Sequence, residues 1–359
     1  MLIDRKNSFT TLRLILAILV LIGHSSVLSG HYFNFSFGII PLTSLAVFGF
    51  FAASGFLIMP GIMRGGFVRY VLRRCVRIFP AFWTSSIVTV LIFGKIWQTL
   101  SSDTRNLSLS NIVSYLSHNI IFLPASPESP RASWNQLQGL PTGVPRSGVV
   151  NGSIWSLPLE FICYIALGIL IVALKRYFSG RIEQYFLFIL VVFWLTSVCL
   201  SFIVSRFWEP YPTLVTTILG KWPYILSFLI GSALSFRANN LLKFKYKCSI
   251  LPLMLIAFVS SFNTTTWALF GSVAFAVATI CLGSSKIFEH FSTKADISYG
   301  IYLYHFPVLQ TLVHFLDGRQ DRFLLISITL LISGVLAYLS AKLIEEPALK
   351  WVRRIQTNK

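Results

Sequence analysis

Residues 1–30 read MLIDRKNSFTTLRLILAILVLIGHSSVLSG. A short polar and basic start is followed by an apolar run of about 20 residues, the length that crosses a bilayer as an α-helix. A secretory leader opens in a similar way. This run is too long for one, lacks a small-x-small cleavage pattern, and is interrupted by Arg13 and His24. It reads as a retained first membrane helix.

The rest of the chain has the same character. Of 359 residues, 55% are hydrophobic and 12% charged, where soluble domains carry about 25% charged residues. Mean hydropathy is +0.72. A soluble fold of this size could not hide so much apolar surface, so lipid must cover much of it. Candidate spans are 11–30, 38–62, 79–98, 154–174, 184–206, 213–235, 249–263, 265–283, 297–316 and 322–344. The seventh and eighth are short and close together, which suits tilted or re-entrant segments. The expected fold is all-α: one polytopic membrane domain, residues 1–359, of about ten transmembrane helices.

The loops test this assignment. Basic residues fall at Arg5 and Lys6, at Arg64, Arg69, Arg73, Arg74 and Arg77, and at Lys175, Arg176 and Arg181. They recur at Arg237, Lys243, Lys245 and Lys247, at Lys286 and Lys294, and at Lys350, Arg353, Arg354 and Lys359. In an alternating topology these segments share one side, which places both termini in the cytoplasm. The net charge of +18 is then a consequence of topology, and no nucleic-acid partner is expected. The five cysteines form no CxxC pair, so neither a disulfide framework nor a metal site is expected. The outside loop at about 99–153 is long and rich in Ser, Asn, Pro and Gly, and such loops are functional or disordered. Trp134 and its prolines suggest partial order over the mouth of the bundle. The N-x-S/T triplets at Asn106, Asn151 and Asn263 carry meaning only in a eukaryotic secretory pathway.

Ionisable groups inside apolar helices are costly and therefore mark function. Arg13 and His24 are eleven positions apart. That is three turns plus roughly 20°, so both project from one face, with a rise of about 16 Å between them. A positive-inside anchor and an interhelical hydrogen-bond donor are the structural alternatives for the two. In RYVLRRCVRIFPAFW, Arg69, Arg73 and Arg77 form one stripe if the segment is helical. Arginine holds phosphate bidentately, and a juxtamembrane helix on anionic headgroups uses the same residues. In NGSIWSLPLEF, Glu160 lies about one turn inside the membrane. Four roles are open to it: orienting a histidine, hydrogen-bonding a polyol, pairing with a buried Arg, or standing as a protonated, hydrogen-bonded acid. Trp155 and Ser156 stand at the outer edge. Ser54 and Gly55 in FFAASGFLI suit close helix approach, with cofactor contact second for Ser54. Ser298, Tyr302 and His305 add polarity to ISYGIYLYHFPV.

Together these segments resemble the acyltransferase-3 family of bacterial membrane acyltransferases, over about Arg13 to Pro347 and in the same order. Arg13 and His24 fit its first-helix pattern of Arg or Lys, ten residues, then His. FFAASGFLI resembles its F-F-x-x-S-G-F motif, and RYVLRRCVRIFPAFW its R-x-x-R-I-x-P segment. VNGSIWSLPLEF resembles its N-G-S-[LI]-W-[ST]-L-x-x-E motif, SYGIYLYHFP its S-Y-x-I-Y-L-x-H-x-P motif, and LIEEPALK its terminal E-x-P segment. The chain ends about a dozen residues past that segment, without the SGNH esterase-like domain that some members append.

The resemblance implies transfer of an acyl group, usually acetyl, from cytoplasmic acetyl-CoA or another acyl-CoA to a hydroxyl. The acceptor is expected to be an extracytoplasmic or lipid-linked glycan such as O-antigen, capsule or exopolysaccharide. It makes His24 the expected general base, with Glu160 as its catalytic companion; direct attack and a transient acyl-histidine both fit these residues. Arg13, Arg69, Arg73, Arg77 and Ser54 become the donor set, and Trp155, Ser156, Tyr302 and His305 the acceptor set. The expected location is the bacterial inner membrane, with the lipid bilayer as a partner. A self-sufficient enzyme and one needing a separate periplasmic partner both fit. The rival class is a transporter or flippase, which the lack of paired inverted halves with interrupted helices weakens.

Overall fold

The computed structural model describes residues 8–30, 36–100, 108–120, 149–207, 220–238, 247–288, 291, 296–316 and 321–357. Arg5, Lys6, Asn106, Trp134, Lys243, Lys245, Lys294 and Lys359, and most of the 99–153 loop, lie outside these residues.

The described chain is an all-helical membrane protein with one two-stranded hairpin. Its helices are α1 (Phe9–Leu28), α2 (Leu42–Arg64), α3 (Phe67–Val88), α4 (Gly94–Leu100), α5 (Leu109–Asn119), α6 (Ser156–Tyr177) and α7 (Ile182–Phe207). They continue with α8 (Trp222–Phe236), α9 (Lys247–Ser260), α10 (Ser272–Ser284), α11 (Ser298–Phe315), α12 (Arg322–Ser340) and α13 (Glu346–Thr357). The hairpin pairs β1 (Ser36–Phe37) with β2 (Ile40–Pro41).

Seven helical stretches among the described residues are long and apolar enough to cross a membrane, and Trp222–Phe236 and Ile250–Ser260 are shorter apolar helices. With α11, each of the ten expected segments coincides with a helix. The boundaries differ instructively. Only Gly65 and Gly66 separate α2 from α3, so of the arginines expected between two spans Arg64 ends α2 and Arg69, Arg73, Arg74 and Arg77 lie within the first turns of α3. Residues 89–93 continue α3 into α4 as a π-turn, giving one continuous stretch from Phe67 to Trp97. The 99–153 loop, expected without regular structure, contains the helix α5. Ser108 caps α5 by accepting from the Asn111 N–H at 3.2 Å. Ile112, Tyr115 and Leu116, at helical spacing, then pack into a cluster with Val90, Phe93 and Trp97.

The chain divides into two compact units with interleaved segments: Met1–Leu16, Ser36–Tyr70 and Cys163–Lys294 in one, and Ala17–Phe35, Val71–Ile162 and Ala295–Lys359 in the other. Lipid gives helices no hydrophobic drive to associate, so close packing through small residues and hydrogen bonds must hold each unit together. In the first unit α2 lies against α8 at two glycines. A Cβ on Gly55 would stand 2.0 Å from the Phe228 carbonyl oxygen, and one on Gly231 2.0 Å from that of Ala52. Small residues are thus required on both helices at this crossing, which is where the sequence expected Gly55 to serve packing. Lys175 reaches from α6 to the last turn of α2 and donates to the carbonyls of Ile62 (2.9 Å) and Met63 (2.7 Å). Those oxygens have no partner inside their own helix.

Because a Gly231→Ala methyl would meet backbone rather than a movable side chain, the two helices must separate. The expected cost is about 1–3 kcal/mol. It should read as a lower melting temperature of the detergent-solubilised protein, and an unchanged melting curve would contradict the crossing.

In the second unit, α11 is buried along almost its whole length. It packs on α12 where a Cβ on Gly300 would come within 2.6 Å of the Ala337 Cα. Trp97 donates its indole N–H to Thr311 Oγ1 at 2.8 Å.

Candidate active site

The centre of the second unit is built around Pro307. Proline has no N–H, so the carbonyl one turn earlier, at Leu303, loses its helical donor. Asn151 supplies a replacement, with its side-chain N–H 2.7 Å from that oxygen. Ser153 Oγ lies 3.0 Å from the neighbouring Tyr302 carbonyl. The Tyr302 phenol donates in return to the Ser153 carbonyl. Ser156 Oγ is 2.7 Å from the Tyr302 oxygen, and since the phenol hydrogen is spent on Ser153, Ser156 is the donor. Gln310 donates to the Val149 carbonyl at 2.8 Å. Gly152 permits the approach, because a Cβ there would fall 2.6 Å from ring carbons of Phe306. The segment VNGSIWS is thereby clamped onto the segment SYGIYLYHFP.

This clamp fixes the stretch of α11 that carries His305. His305 is fully buried, while His24 on α1 is half-buried. The His24 Nδ1 lies 2.9 Å from the His305 Nε2. The rings are within 14° of coplanar. His305 Nδ1 lies 2.9 Å from the Ile301 carbonyl oxygen. Phe306 stands edge-on to His24, with centroids 5.1 Å apart. Two histidines that are 281 residues apart in the chain thus form a direct pair.

A second constellation sits at Arg77. Its guanidinium donates to Asp296 at 2.7 Å and to Glu345 at 2.8 Å. Glu345 is 3% exposed. Asp296 also accepts from the Ser298 N–H at 3.2 Å, capping the start of α11. Nearby, the Tyr299 hydroxyl donates to the Ile78 carbonyl at 3.0 Å. One arginine therefore joins α3, the start of α11 and the π-turn 341–345 that follows α12.

The run Arg69, Arg73 and Arg77 is helical, as its stripe required. Arg69 and Arg73 are exposed. Arg13, Ser54, Trp155 and Glu160 are half-buried, on α1, on α2, just before α6 and on α6. Arg13, Ser54 and Arg69 belong to the first unit, and the remaining candidates to the second. Sequence reasoning did not find the roles of Asn151, Ser153, Asp296, Glu345 or the Ile301 carbonyl. Pro307 inside an apolar helix was the available signal for Asn151, because it guarantees an orphan carbonyl.

The paired histidines lie in an all-helical chain with seven helical stretches, among the described residues, long and apolar enough to cross a membrane. The model of the acyltransferase-3 family, described as an acyltransferase domain, matches residues 6–342, and the chain belongs to that family. It is an acyltransferase. The chain is also similar to a protein of Shigella phage Sf6 described as an O-acetyl transferase. The two are 30% identical over 357 residues, covering 95% of this chain and 96% of that protein. No solved structure matches it.

Proposed function

We propose that this acyltransferase moves an acetyl group from acetyl-CoA to a hydroxyl of an extracytoplasmic or lipid-linked glycan. The placement is the cytoplasmic membrane of a bacterium, with both termini inside. The observation that carries the reading is His24: a half-buried imidazole on a membrane helix, in a chain of an acyltransferase family that is similar to an O-acetyl transferase.

The chemistry requires one base and one acid, and a single imidazole can serve as both in turn. The acceptor oxygen attacks the thioester carbonyl carbon while its proton passes to His24. The tetrahedral intermediate then collapses, the C–S bond breaks, and the proton returns from His24 to the thiolate sulfur. The products are the acetyl ester and free CoA. Arg13, on the same helix and one face with His24, and the exposed Arg69 and Arg73 are assigned to the donor phosphates, and Ser54 to the donor. The helical rise of about 16 Å from Arg13 to His24 suits an extended pantetheine arm. Glu160 and Trp155 are assigned to the acceptor.

Five residues leave the sets first expected for them: Glu160 passes from catalytic companion to acceptor contact, and His305, buried and bonded through both ring nitrogens, is no longer an acceptor ligand. Two carboxylates already engage Arg77, which makes it a structural tie instead of a phosphate ligand. Ser156 and Tyr302 are buried and bonded to each other, which makes them part of the clamp instead of acceptor ligands.

NMR of purified surface polysaccharide tests the proposal. Acetyl signals are expected in the parent strain, absent in a deletion strain, and restored by the wild-type protein. Identical spectra in all three, together with no acetyl label on any other cell-envelope fraction, would overturn it.

A further inference from the structure

We propose that His305 is the positioning residue that sets the tautomer of His24, and that the Ile301 carbonyl sets His305 in turn. The inference rests on the acyl-transfer reading and deepens it. A carbonyl oxygen can only accept a hydrogen bond, so the 2.9 Å contact to Ile301 requires a hydrogen on His305 Nδ1. In neutral His305 the lone pair is then on Nε2. That nitrogen faces His24 Nδ1 at 2.9 Å, so His24 must donate, and its own hydrogen is on Nδ1. The lone pair of neutral His24 is left on Nε2, on the far side of the ring from His305. Both ring assignments follow from the hydrogen-bond network.

The relay ends at Ile301. A carbonyl takes up no proton, so the proton gained from the acceptor hydroxyl stays within the His24–His305 pair. From there it goes to the departing sulfur, and no net proton is lost. His305 thus does for His24 what a carboxylate does in a hydrolase triad: it fixes orientation and selects the nitrogen that acts. It does so without a charge, as suits a side chain with no exposed surface. The remaining features agree. The near-coplanar rings are the geometry of an in-plane N–H···N bond. The clamp from Asn151 and Ser153 holds the α11 carbonyls just after Ile301, and Phe306 sets the edge of His24.

The test uses membrane vesicles from cells making the full-length protein, given [14C]acetyl-CoA, with label counted in the glycan fraction at matched protein levels. His305→Phe fills the space but accepts no hydrogen bond. His305→Gln keeps an acceptor oxygen. The expected result is a fall in kcat of about 10–100-fold for His305→Phe, as for other orienting partners. KM for acetyl-CoA should stay within about twofold, and His305→Gln should recover much of the loss. In a His24→Ala background, His305→Phe should cost nothing further, because it acts only through His24. Wild-type kcat in His305→Phe, or an equal added loss in the His24→Ala background, would overturn the inference while leaving the acetyl-transfer reading intact. A wild-type protein that transfers no label would instead overturn the reading on which it rests. Should His305→Phe not accumulate, His305→Leu, which also accepts no hydrogen bond, takes its place with the same expected results and the same overturning ones.

Discussion

His24→Ala is expected to lower acetyl transfer by about 10²–10⁴-fold, the range a general acid–base residue contributes. Protein level should change little. Removing the ring leaves His305 Nε2 without its donor, a loss of about 1–3 kcal/mol, against a total stability of about 5–15 kcal/mol. The more informative variant is His24→Gln. Its amide can still donate to His305, so packing and hydrogen bonding are largely kept, but it is not a base at neutral pH. Both variants should therefore be inactive to a similar degree in the glycan-labelling assay, with equal amounts of folded protein by gel filtration in detergent. If His24→Gln kept substantial activity, His24 would be a structural donor, and the catalytic base would have to be sought elsewhere. KM for acetyl-CoA separates a third case. A residue that only held the donor would raise KM with kcat largely kept.

How far these roles could be read from the sequence depends on the range of the interaction. Membrane spans are set by local composition over about 20 residues, so the helices could be placed, and seven stretches among the described residues are long and apolar enough to cross a membrane. The face shared by Arg13 and His24 follows from helical period alone, as does the stripe of Arg69, Arg73 and Arg77. Gly55 could be read as a packing residue because small residues are the general solution for close helices in lipid. The His24–His305 pair could not be found in this way. Its members are 281 residues apart, and nothing in the 3.6-residue period says which helix faces which. The bond between Ser156 and Tyr302 is hidden from the sequence for the same reason. A hydroxyl at a membrane edge looks available for a ligand until its partner on another helix is known. Helix α5 was missed because its polar setting hid a short apolar face that only α3 and α4 reveal. The acids that hold Arg77 lay in plain view within ADISYG and LIEEPALK. Charge counting assigned the arginine to topology and donor binding, since a cation near a membrane surface has an adequate local explanation without them.

Arg77→Leu is expected to be the most destabilising single change among these residues. It leaves Glu345, which is 3% exposed, and Asp296 facing an apolar side chain. Breaking a buried ion pair from one side costs about 3–5 kcal/mol, a large part of a typical stability. The protein should accumulate poorly, and whatever folds should melt well below wild type in detergent. Arg77→Lys should fall between the two, since an ammonium is a point charge that does not reproduce the planar fork holding two carboxylates at once. Adding Glu345→Gln to Arg77→Leu should restore part of the melting temperature by removing one of the stranded charges. The alternative, that Arg77 holds a donor phosphate, predicts the reverse pattern: near-normal melting for both single variants, a raised KM for acetyl-CoA, and no benefit from Glu345→Gln. The geometry favours the first outcome. Arg77 fastens the start of α11 through Asp296, and α11 carries His305. Loss of this tie should therefore also loosen the partner of His24, so the surviving fraction of Arg77→Lys should show a reduced kcat with KM for acetyl-CoA little changed.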